Sequence, residues 1–62
     1  MSFKILRIKE VCQKTGLSRS TIYVLISQDL FPKSVGLASR RVGWIESEID
    51  DWIQQKKNDR DY

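Results

Sequence analysis

Apolar residues recur twice at helical spacing in the first half of the chain, with a break between the two sets. Ile8, Val11 and Cys12 fall at i, i+3 and i+4, which predicts a helix from about Ile8 or Lys9 to Thr15. The residues before it, Ile5 to Arg7, read as a short extended piece. Gly16 supplies the left-handed residue that ends a helix, and Leu17 carries the apolar face across the turn. Ser18 is placed to cap a second helix through its hydroxyl, and Ile22, Leu25 and Ile26 repeat the spacing of the first. This helix is expected from about Arg19 to Gln28 or Asp29. Its outward face is Arg19, Ser20, Tyr23, Val24 and Ser27, with Thr21 at the edge of the first turn.

Pro32 forbids continuation, so LFPK reads as a turn with Leu30 and Phe31 folded beneath the two helices. KSVGLAS and RRVGWI then alternate or carry β-branched residues and meet at Ala38-Ser39-Arg40. They predict an antiparallel hairpin with strands at about 34–38 and 41–45, although no Asn-Gly turn fixes its register. Ser47 is the expected cap of a third helix whose inward set is Ile49, Trp52 and Ile53, with the stem of Lys56 beside them. Residues from about 57 to 62 are expected to fray. The pattern is that of a single domain over 1–62, mainly α with a small β-hairpin.

Composition narrows what such a fold can do. At 62 residues a domain buries only about 60% of its unfolded surface, so a second core has no room. There is no His and only one Cys, Cys12, which excludes an internal disulfide framework and the usual metal sets and fits a reducing cytoplasm. Cys12 is read as a small buried hydrophobe, with a redox or dimerising thiol as the alternative. No apolar run approaches the roughly 20 residues needed to span a bilayer, and Met1-Ser2-Phe3-Lys4 leads into no signal-peptide core. The expectation is a cytoplasmic protein with no membrane contact.

The net charge is +3, and its distribution says more than its sum. Residues 1–45 hold eight Lys or Arg against two acids, a net of +6, whereas residues 46–62 hold three against six, a net of −3. The basic part has the charge expected of a domain that meets a polyanion, or of ordinary solvated lysines. The acids Glu46, Glu48, Asp50 and Asp51 crowd the start of the third helix, where the positive end of its dipole favours them.

Catalysis lacks the necessary groups. Without His there is no ordinary triad, the close carboxylates belong to one helix start, and no Gly-rich phosphate loop is present. Neither an enzyme nor a cofactor is expected. The two-helix unit offers something else. Two short helices joined by a turn containing Gly, the second opening with short polar residues, match a helix-turn-helix, in which the N-terminal residues of the second helix meet base edges in the major groove. Ser20 and Thr21 are short enough for close approach, Arg19 can reach a guanine edge or a phosphate, and Tyr23 can donate to a phosphate. Ser39, Arg40 and Arg41 at the hairpin tip suit phosphates or a minor groove. Trp44 and Trp52 could form a stacking platform for single strands, but their positions on a strand end and an apolar helix stripe favour packing.

With GLSRSTIYVLI, LFPKSVGLASRRVGW and SEIDDWI in place, the chain resembles the AlpA family of small phage-type transcriptional regulators, related to excisionase and MerR-like winged helix-turn-helix domains. The resemblance covers about residues 5–56. It implies a winged helix-turn-helix of three helices and a two-stranded wing, with a short N-terminal strand as a further element. It implies a double-stranded DNA binder of a prophage or mobile element that activates integrase or excision genes. Arg19, Ser20, Thr21 and Tyr23 then occupy recognition-helix positions, and Ser39, Arg40 and Arg41 the wing. The chain departs from the family pattern at Val24, where a basic residue is frequent; at Asp29 and Ala38, where Gly is; and at Ser34, where Pro is.

A module of this size buries only about 600 to 1,000 Å² on DNA, so cooperative or dimeric occupancy of repeated sites is expected. An integrase or RNA polymerase is the expected protein partner. Two alternatives stand beside activation: an excisionase-like factor that bends DNA and recruits a recombinase, and a protein-interaction module using Val24 and the acidic third helix.

Overall fold

The structure, a computed structural model, describes residues 3–60. Its elements run β1 (Ile5–Leu6), α1 (Ile8–Thr15), α2 (Arg19–Ser27), β2 (Val35–Ala38), β3 (Arg41–Ile45) and α3 (Glu46–Asp59). The extended piece expected at the N-terminus is a strand. It pairs antiparallel with β3, Ile5 opposite Ile45 and Leu6 opposite Trp44. The sheet order is β1-β3-β2, so the hairpin expected from the alternating pattern gains a third strand.

Side chains from every layer meet in one core. Leu6, Val11, Ile22, Phe31, Trp44 and Ile49 are buried, and Ile8, Cys12, Leu17, Leu25, Ile26, Trp52 and Ile53 pack around them. Each full burial of a large apolar side chain contributes about 1.5–3 kcal/mol before chain entropy is counted, so this small set has to be used efficiently. Trp44 fills the centre with no exposed surface, which removes it as a platform for nucleic-acid bases. Gly43 beside it allows β1 to cross closely, because a Cβ there would collide with the side chain of Ile5.

The end of α2 departs from its expected position for a definable reason. The helix stops at Ser27, and the amides of Asp29 and Leu30 bond back to the carbonyls of Ile26 (3.0 Å) and Leu25 (2.8 Å). This is a Schellman closure, which requires a left-handed residue after the cap. Asp29 fills that position with φ 61°, where the AlpA pattern frequently has Gly. The reversal also turns Leu30 outward. It is 53% exposed, and only Phe31 of the two is folded into the core.

The start of α3 also differs from expectation. Ser47 does not cap it. β3 passes into the helix without a loop, Ile45 holds the extended cap position with no side-chain cap bond, and the amide of Glu46 is satisfied by the carbonyl of Lys4 at 2.9 Å. The residue just before β1 thus satisfies one of the orphan amides of the helix start. At its other end α3 continues through Lys57 to Asp59, past the expected fraying point; the last two residues of the expected tail, 61 and 62, lie outside the described residues.

Two indole N–H groups fix the segment between α2 and β2. Trp44 Nε1 donates to the carbonyl of Pro32 (3.1 Å), and Trp52 Nε1 donates to that of Leu30 (2.9 Å). Phe31 lies edge-on to Trp52, ring centres 4.8 Å apart, and Lys56 Nζ stands 5.4 Å from the centre of the same Trp52 ring.

Two stability changes follow. Asp29→Gly relieves the left-handed strain and loses only the exposed 3.6 Å pair with Lys33, so it should raise unfolding free energy by about 0.5–1 kcal/mol in urea titrations. Trp44→Phe leaves the Pro32 carbonyl without its donor and a void in the core, and should lower it by about 2–4 kcal/mol in the same measurement.

Candidate nucleic-acid interface

The turn between α1 and α2 is three residues long, 16–18. Gly16 takes φ 75°, and its amide closes α1 on the carbonyl of Cys12 at 2.8 Å. Thr15 Oγ1 donates to the Val11 carbonyl (2.8 Å) and accepts from the Leu17 amide (3.3 Å). The chain is thereby led from one helix to the next without loose backbone, and Leu17 packs on the core.

Ser18 caps α2 as the sequence implies, its Oγ accepting from the Thr21 amide at 3.2 Å. The same oxygen lies 2.8 Å from Thr21 Oγ1 and 3.5 Å from Ser20 Oγ. The three hydroxyls form one cluster on the first turn, so Ser20 and Thr21 are oriented before any partner arrives. Arg19 is exposed beside them.

Helical geometry ranks the exposed residues of α2. At about 100° per residue, Ser20, Val24 and Ser27 fall within roughly 40° of the line opposite buried Ile22. Tyr23 and Thr21 flank this stripe, each about 80° from the same line on opposite sides, and Arg19 lies about 120° from it on the side of Tyr23. Val24 is 52% exposed and Tyr23 45%. Val24 and Ser27 therefore belong to the outermost stripe of the helix, although the contact residues inferred from the sequence leave them out. Their i+4 and i+7 spacing from Ser20 was the available signal. Ser27 Oγ donates to the Val24 carbonyl at 2.6 Å and so turns back on its own helix.

Tyr23 has a second attachment. Its ring centre lies 6.4 Å from that of Trp44, the planes tilted by 60°, which connects α2 to the strand that leads away from the wing tip. The tip is the turn Ser39-Arg40 between β2 and β3, with Ala38 paired to Arg41. The register shifts between Gly36 and Ala38, so Leu37 is a bulge. Arg40 has φ 61°, a left-handed conformation that usually selects Gly or Asn. Ser39, Arg40 and Arg41 are all exposed. The structure gathers Arg19, Ser20 and Thr21 on one helical turn with Tyr23 next on the helix. Among the described residues, no hydrogen bond or ring contact joins the three tip residues to that group.

Two lysines are held by acids of the same chain. Lys14 bridges α1 to α3, with Nζ 2.8 Å from Asp50 and 3.3 Å from Glu46. The hydrogen bond to Asp50 chiefly, aided by Glu46 and opposed by desolvation, holds its ammonium above the ordinary lysine value. The acids at the start of α3 thus serve a tie between helices as well as the helix dipole. Lys33 pairs across the turn with Asp29. Arg19, Arg40 and Arg41 form no ion pair among the described residues. No cluster of metal-binding side chains occurs among the described residues, and none of their helices is long and apolar enough to cross a membrane.

The family described as Prophage CP4-57 regulatory protein (AlpA) matches residues 4–57, a span that includes α1, the turn, α2, the wing and most of α3. A protein of Escherichia coli (strain K12) named DNA-binding transcriptional activator AlpA is 44% identical over 59 residues, covering 86% of this chain and 84% of that one. The uncharacterized protein ORF88 of Enterobacteria phage P4 is 46% identical over 50 residues, covering 81% of this chain and 57% of the phage protein. The three helices, the wing-like hairpin and matches of this extent agree, and the chain belongs to the AlpA family.

Proposed function

We propose that this chain is a sequence-specific duplex-DNA-binding regulator of a prophage or similar mobile element. α2 lies in the major groove with Arg19, Ser20, Thr21 and Tyr23 toward the DNA, and Ser39, Arg40 and Arg41 meet the backbone or a minor groove. The observation that carries this assignment is the placement of Arg19, Arg40 and Arg41, all exposed, one on the first turn of α2 and two at the wing tip, with no acidic partner among the described residues. Arginine at these exposed places can form bidentate bonds to guanine or phosphate.

The conformation of Arg40 adds support. A non-glycine residue at φ 61° costs about 1 kcal/mol or more relative to Gly, and a guanidinium at the tip gives a reason for accepting that strain. Within DNA binding, activation of integrase or excision genes is the role proposed, because the similar Escherichia coli protein is named a transcriptional activator. A single small module binds modestly, so several copies acting together on repeated sites complete the proposal, with an integrase or RNA polymerase as the protein partner.

Titration of labelled duplex across salt concentrations tests the contacts. Log affinity should fall steeply with log salt; Arg40→Gly should flatten the slope by about one while leaving the tip conformation at ease, and Arg40→Lys should restore it. Arg19→Ala should narrow the gap between target and unrelated duplexes. No duplex binding at low salt would sink the proposal. The regulatory role is checked by placing an integrase promoter before a reporter: activation requires expression to rise several-fold with the protein present, whereas an unchanged reporter together with strong bending in gel phasing assigns the chain to the excision-factor role instead.

A further inference from the structure

The outermost stripe of α2 carries no charge. Ser20 and Ser27 stand one turn before and one turn after Val24, all three opposite buried Ile22, while Arg19, Tyr23 and Thr21 lie to the sides. Val24 leaves 52% of its surface exposed, and covering that surface with carbon is favourable. Its neighbours do not stand in the way, since both are short. Ser27 in addition spends its hydroxyl proton on the Val24 carbonyl, and so brings no free donor to that part of the helix. The middle of the stripe therefore offers a branched apolar surface.

In a major groove, hydrogen-bonding groups fill most of the base edges, and the feature that accepts carbon is the 5-methyl group of thymine. Resting on the DNA-binding function proposed above, we infer that Val24 is a specificity-determining residue that packs against the 5-methyl group of a thymine in the target site. Arg19 and Tyr23 on the flank anchor the helix, and Val24 selects the base beneath its centre. A longer polar side chain at position 24 would hold the helix away from that methyl group.

The test works without a known operator. Bound duplexes are selected from a random synthetic pool with the full chain, and the enriched duplex is then remade with each thymine in turn replaced by deoxyuridine, which removes only the methyl group. At one position the replacement should weaken the wild-type protein about fourfold, the effect of one buried methyl-sized group. Val24→Ala should show no loss on that same replacement, and Val24→Thr, which keeps a γ-methyl, should retain it. Circular dichroism confirms that each variant is folded. If every replacement affects wild type and Val24→Ala alike, the inference is overturned while DNA binding stands, and Val24 is then free to serve a protein contact. If the pool yields no enriched duplex for the wild type, DNA binding itself fails and the inference falls with it.

Discussion

The placement of the wing depends on two indole hydrogen bonds. The segment between α2 and β2 has no sheet ladder to hold its backbone, and only Phe31 of it is buried. Trp44 and Trp52 approach it from a strand and from a helix and satisfy Pro32 and Leu30, while Phe31 is buried between these anchors. Each Trp thus packs its apolar ring and uses its polar edge. Because Trp44 also stands against Tyr23, the same residue sets the sheet, the connecting segment and one outward side chain of α2 in fixed relation. With six buried apolar residues among those described, the core can hold the surrounding elements only if some of its members do several things at once, and Trp44 does.

Two residues in the left-handed region show different uses of the same strained geometry. Asp29 closes the Schellman motif after α2, where the conformation is demanded by the change of chain direction and Asp is among the more tolerant side chains. Arg40 adopts a like φ at the end of the wing, but carries a long cation far from the core. The first is explained by the backbone it connects. The second has no such backbone demand beyond the two-residue turn that it closes.

Much of this architecture was legible in the pattern of residues. The i, i+3, i+4 sets of Ile8, Val11 and Cys12 and of Ile22, Leu25 and Ile26 mark α1 and α2 because their buried faces are continuous, and Gly16 and Ser18 act at the helix ends as their chemistry suggests. What misled was local chemistry overruled by distant partners. Ser47 looks like a cap, but the Lys4 carbonyl, from the far end of the chain, already satisfies the first amide of α3. Leu30 looks like core until the backbone reversal at Asp29 turns it out. Dipole logic placed the acids of α3 correctly, yet only the fold shows that Lys14 reaches Glu46 and Asp50. At the candidate interface, the residue types named their own chemistry, whereas the central position of Val24 emerged from ranking the exposed positions around the helix.

The bulge at Leu37 also bears on how these molecules can live close together. β2 forms one border of the sheet and is only four residues long, with its ladder interrupted inside it; β1, at the other border, has two residues. Neither border offers the long flat row of free amides and carbonyls on which another chain could extend the sheet. Copies that collide in solution can therefore touch through side chains and separate again, without the irreversible strand-to-strand fusion that ends in aggregates.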